Sequence, residues 1–172
     1  VVMYHYIRND SLEYPNFNHF KIESFKEQLD FFEKNYGFVT KDQFLESFET
    51  GIIPSGVLLT FDDGLRDHYK NVFPILRDRE IFAIFYVPTG HYTKKEKQLL
   101  AVHRVHHLKG KYDSEELLLE VKHYIDSEML DNKKIKEFDI EIYHNQNNSN
   151  SDYNFKRLFN YFLKYEYRDK IL

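Results

Sequence analysis

At 172 residues the chain is long enough for a real core, since a chain of this size buries roughly two-thirds of the surface its unfolded form exposes. Lys and Arg number 24 against 28 Asp and Glu, and the resulting net charge of -4 argues against nucleic acid or an anionic membrane as the main partner. Cysteine is absent, which excludes disulfides, thiolate chemistry and Cys-ligated zinc, while nine histidines and many acids leave N/O metal ligation open.

In chain order, VVMYHYI from Val1 to Ile7 is β-branched at its start and alternates Tyr4 and Tyr6 with His5, which predicts a strand. The chain opens there in mid-strand without methionine, so an upstream segment is expected and targeting stays open. Cytoplasm is favoured, with the cell envelope as the alternative. RNDSLEYPNFNHF reads as loop. Phe25, Leu29, Phe32 and Tyr36 then mark one face of a helix that Gly37 stops, and a short helix follows from Lys41 to Phe48. Pro54-Ser55-Gly56 turns the chain into the buried strand VLLTF. Leu65 to Arg77 reads as a helix that Pro74 must kink or shorten. IFAIFYV, Ile81 to Val87, is a second continuous apolar run closed by Pro88-Thr89-Gly90. Strand, helix, strand, with both strands apolar throughout, predicts a parallel sheet covered by helices, and the first half is therefore α/β.

The second half changes character. Lys94 to Leu108 and Ser114 to Leu130 read as helices, KEFDIEIYH as a short strand, HNQNNSNSDYN as a polar loop, and Phe155 to Tyr167 as an aromatic helix. The expected division is 1–92 and 93–172. No run approaches the roughly 18 apolar residues of a membrane span. Most of the 14 Tyr and 16 Phe fall at core spacing, with Tyr4, Tyr6, Tyr86 and Tyr92 the better candidates for stacking on a sugar.

The chemistry concentrates in LLTFDDG. Neighbouring residues of a strand point to opposite faces, but Gly64 allows a sharp turn, so Asp62 and Asp63 reach the same crevice at the strand's C-terminal end, where α/β sheets and barrels place their ligands. Capping the next helix needs one Asp and leaves the second unexplained. Two adjacent carboxylates repel, and keeping both ionised requires a cation or a shared proton. A metal on one and a water beside the other is a design for metal-assisted hydrolysis. Phosphate-ester hydrolysis fits less well, because no Gly-rich or Lys/Arg phosphate cradle accompanies the pair.

LLTFDDG between an apolar strand and a helix resembles the first motif of the polysaccharide deacetylase family, also called the NodB homology or carbohydrate esterase family 4 group. MYHYI, FKEQLDFFEKNYGFVTKDQFLE and IFAIFYVPTG resemble the same family's flanking segments, so the resemblance runs from Val1 to Gly90. It implies a distorted (β/α) barrel of the NodB type, incomplete here and followed by a largely helical second half. It also implies a bacterial enzyme that removes acetyl groups from N-acetylated sugars with zinc or a similar divalent metal. Asp62 would be the catalytic base and Asp63 a metal ligand. His5, Tyr4 and Thr89 stand where substrate contacts are expected.

The family's second motif, His-(Ser/Thr)-x-x-His, has one local counterpart in HRVHH. His103 and His107 are spaced to share a helix face and bind one ion, yet Arg104 replaces Ser or Thr and the surroundings read as an amphipathic helix. The other expectation is that residues 94–172 are a helical insertion and that the second motif lies beyond Leu172. The family's arginine and tryptophan motif and its late histidine motif find no counterpart, which predicts a weak or inactive isolated chain. The rival to a deacetylase is a non-catalytic relative that binds carbohydrate or assists assembly in polysaccharide biosynthesis. The substrate's exact sugar and the oligomeric state are not encoded in these motifs.

Overall fold

The computed structural model describes residues 1–90, 93, 99–137 and 150–172. His91, Tyr92, the start of the helix expected from Lys94, most of the strand expected at KEFDIEIYH and most of the Asn-rich loop lie outside the described residues. The chain divides into two compact units, one made of Val1–Asp10 and Asn18–Lys94, the other of Ser11–Phe17 and Lys95–Leu172.

The first unit is mixed α/β. Its strands are β1 (Val2–Tyr4), β2 (Ile7–Arg8), β3 (Phe20–Lys21), β4 (Leu59–Phe61) and β5 (Ala83–Phe85). β1, β4 and β5 form a small open parallel sheet with β4 in the centre, in the register Tyr4 to Phe61 to Phe85. All three β4 residues are buried, which is why VLLTF carries no polar alternation. The single strand expected over Val1–Ile7 is two. The carbonyl of Tyr4 accepts from the Asp62 N–H at 3.0 Å, whereas that of Tyr6 accepts from the Phe20 N–H at 2.9 Å, so the chain changes partner at His5 and continues as β2 beside β3.

Two helices follow, α1 (Ile22–Asn35) and α2 (Lys41–Thr50). Phe25 and Leu29, one turn apart on α1, are fully buried in a core with Tyr4, Ile7, Leu59, Phe61, Val72 and Leu76. On α2, Thr40 and Gln43 exchange side-chain and backbone hydrogen bonds as a capping box, and Gly51 ends the helix in the left-handed region. The helix expected over Leu65–Arg77 is a π-helical turn, His68–Val72, running into α3 (Phe73–Asp78). Pro74 sits in the first turn of α3, directly after the π turn, and the helix runs through it to Asp78.

The described part of the second unit is helical: α4 (Ala101–Lys111), α5 (Ser114–Lys122), α6 (Asn132–Glu137), α7 (Asn150–Arg157) and α8 (Tyr165–Ile171). Val105, Val121, Phe155, Phe159 and Leu163 form its core. Ser11–Phe17 lies on α4. The Asn16 N–H donates to the Gly110 carbonyl at 3.0 Å, and a Cβ on Gly110 would stand 2.6 Å from Phe17 Cδ2. No helix among the described residues is long and apolar enough to cross a membrane.

Candidate active site

The acid pair stands at the C-terminal end of the central strand. The Asp62 N–H is tied to β1 through the Tyr4 carbonyl, and the Phe61 carbonyl accepts from the Tyr86 N–H at 2.8 Å on the β5 side. The chain then leaves the strand sharply, because Asp63 and Gly64 both take positive φ, 77° and 58°. Gly64 is required twice over, by that φ and by space, since a Cβ there would lie 3.0 Å from Val87 Cγ1. Asp63, like Asn, tolerates this region better than most side chains but less freely than glycine. A non-glycine residue in this region is strained by about 1–3 kcal/mol, and such strain concentrates at functional sites.

Asp63 Oδ2 lies 3.9 Å from His5 Nε2, and both side chains are partly open to solvent. Asp62 Oδ1 is buried with no hydrogen-bond partner among the described residues. A buried carboxylate oxygen without a donor is costly, so this atom calls for a proton, a water or a cation. Carboxylate and imidazole are suitable ligands for zinc, and to that extent the residues fit a divalent ion. Among the described residues, however, no group of three His, Asp or Glu side chains is gathered to hold one.

Behind the acids, residues 67–71 hold the end of the first strand. His68 is only 3% exposed, and its Nε2 lies 2.8 Å from the His5 carbonyl, which can only accept, so Nε2 carries the hydrogen. Burial pushes the His68 pKa down. The His5 carbonyl and the charges of Asp67 and Asp63 oppose that shift, and His5 itself adds to it. Asp67 Oδ2 accepts from Arg8 Nε at 2.6 Å, and Asn71 Nδ2 donates to the Ile7 carbonyl at 2.8 Å. From sequence, Asp67 and His68 read as helix surface, because a π turn shifts the inward face away from the 3.6-residue period.

The other expected site residues are distributed as follows. Tyr4 belongs to the core: its ring stacks on Phe61 at 5.5 Å, its hydroxyl donates to Gln28, and burial pushes its pKa up to about 12. Enclosed in this way, it offers no ring face to a sugar, and Tyr6 is buried as well. Thr89 and Tyr86 are exposed just beyond β5. His103 and His107 share α4 in the second unit. His103 is buried, whereas the half-buried His107 ring packs at 5.2 Å against both Tyr14 and Phe17.

Residues 53–111 match the family model for polysaccharide deacetylase, a span that contains β4, the acid pair, β5 and α4. Among solved structures the chain is similar to the Streptococcus pyogenes deacetylase PplD in complex with acetate, at 26% identity and a TM-score of 0.45. That match covers 63% of this chain and 51% of the other, so the chain spans about half the length of that structure. No curated protein matches it. Residues 53–111, which include the acid pair, are thus the part of the chain that is similar to the polysaccharide deacetylase family model.

Proposed function

We propose that this chain carries the acid-bearing part of a metal-dependent carbohydrate N-deacetylase, built on part of a distorted (β/α) barrel. The observation that carries the proposal is the pair Asp62 and Asp63 on the strained turn after β4, one with an orphaned buried oxygen and the other beside His5. In this reading Asp63 is a ligand to a divalent ion, zinc in the first instance. When bound, the ion supplies Lewis-acid polarisation of the acetyl carbonyl.

The chain's own chemistry is proton handling and orientation. Asp62 accepts a proton from water as the water oxygen forms a bond to the acetyl carbon. As the intermediate collapses, the C–N bond breaks, and the proton held on Asp62 is available to the departing amine. The products are acetate and a free amino sugar. His5 and Thr89, exposed at the strand ends, are the proposed substrate contacts, with Tyr86 the exposed ring on which a sugar can stack.

Acetate release from N-acetylglucosamine oligomers, measured with zinc present, tests this reading. Removing a general base costs typically 10²–10⁴-fold, so Asp62→Asn is expected to lower the rate by about that factor. Equal rates of acetate release for wild type and variant would leave the non-catalytic carbohydrate-binding relative as the better account.

A further inference from the structure

Four consecutive carbonyls at the end of the first strand are held by four different donors. Tyr4 O accepts from the Asp62 N–H, His5 O from His68 Nε2, Tyr6 O from the Phe20 N–H, and Ile7 O from Asn71 Nδ2. Arg8 is fixed by its side chain, through Asp67. Regular pairing accounts for the first and third of these contacts. The second, the fourth and the Arg8 contact come from side chains of one short segment, 67–71, which follows the acid pair in sequence and overlaps the π turn at His68–Val72. The backbone around His5 is therefore held at every residue, while its imidazole is left exposed at 3.9 Å from Asp63.

We propose that His68 is a positioning residue of the site: by donating from Nε2 to the His5 carbonyl, it fixes the place from which the His5 ring meets Asp63. His68 touches neither substrate nor water in this scheme and acts only through His5. Several features suit it to that task. The ring packs against the stacked Phe61 and Phe85 rings at 5.4 and 5.9 Å, on the two strands whose ends carry the site. Burial favours the neutral ring, and the His5 carbonyl, which can only accept, selects the tautomer with the hydrogen on Nε2. The remaining nitrogen, Nδ1, is buried without a hydrogen-bond partner among the described residues, so Nε2 is the point through which the ring is anchored. A phenylalanine or leucine would fill the same apolar slot. A residue chosen for packing alone would not need the donor.

The inference rests on the proposed function only for the meaning of the His5–Asp63 pair, and its test reads that pair without reference to turnover. Nitrogen-15 NMR of the histidine rings at neutral pH is expected to show His68 as the Nε2–H tautomer with an unprotonated Nδ1. An Nδ1–H tautomer or a doubly protonated ring would overturn the proposal, and this part needs no variant. The second part compares His68→Gln, whose amide can replace the Nε2 donor, with His68→Leu, which fills space without donating. In wild type and in His68→Gln, replacing Asp63 by Asn is expected to move the His5 ring resonances by similar amounts. In His68→Leu that response should fall by about threefold or more, because the ring no longer has a fixed place opposite residue 63. An undiminished response in His68→Leu, or an equal loss in both variants, would reduce His68 to a packing residue. Deacetylation is absent from both readouts, so a failed rate assay and a failed positioning test remain distinct results.

Discussion

His68 and Asp63 show what a single residue contributes here. Because burial holds the His68 pKa below its ordinary 6.5, the folded chain takes up this proton less readily than the unfolded one. The neutral ring's contribution to stability is therefore complete above pH 6.5 and is lost as the pH falls from there through the lower folded value. Urea unfolding between about pH 7.5 and about pH 5.5 is expected to show a decline in wild type that is smaller in His68→Gln, whose side chain does not titrate. Equal slopes would mean that the folded ring ionises as freely as the unfolded one. The acids were legible in the sequence because two carboxylates and a glycine at a strand end have few other uses. His68 was not, because a buried histidine and a surface histidine have the same letter. What distinguishes them is the π turn, and that has no sequence period of its own.

At the scale of elements, the strands show how far an apolar pattern reaches. It located β4 and β5, though both are shorter than their runs: VLLTF narrows to Leu59–Phe61 and IFAIFYV to Ala83–Phe85. It could not reveal the break at His5. Tyr4 and Tyr6 look alike in the sequence, but one pairs toward β4 and the other toward β3. In the second unit, α4 makes its own prediction. Gly110 has no room for a side chain beneath Phe17, with Cβ contacts of 2.6, 2.9 and 3.2 Å to that residue. Gly110→Ala is expected to destabilise the chain by about 1–3 kcal/mol through overpacking. The same substitution in a Phe17→Gly background should cost much less, because the contacts to the ring and to Cβ at 2.6 and 2.9 Å are gone. Additive losses in urea unfolding would show that the Phe17 side chain is not what excludes a Cβ at residue 110. The same contacts explain why HRVHH was ambiguous: spacing four apart suits a metal site, and it equally suits a helix on which His107 packs against Tyr14 and Phe17.

Taken whole, the molecule was legible in its first half, where uninterrupted apolar strands could only belong to a sheet covered on both faces, and they do form a parallel one. The helical character of the second half was also legible. Its element boundaries were not: Ser114 to Leu130, read as one helix, is α5 followed by a 3₁₀ turn at Ser127–Met129. Aromatic residues at core spacing say that a helix is buried and leave open what it is buried against. In the proposed function, the turn after β4 holds a divalent ion on Asp63 beside the base Asp62. Equilibrium dialysis against zinc, followed by metal analysis of the wild type and of Asp63→Asn, tests it most directly, since Asn tolerates the left-handed backbone that Asp63 adopts and removes only the charge. About one zinc per wild-type chain is expected, with a loss of at least about tenfold in affinity in the variant. A wild type that binds no zinc, or a variant that binds it equally well, would contradict it.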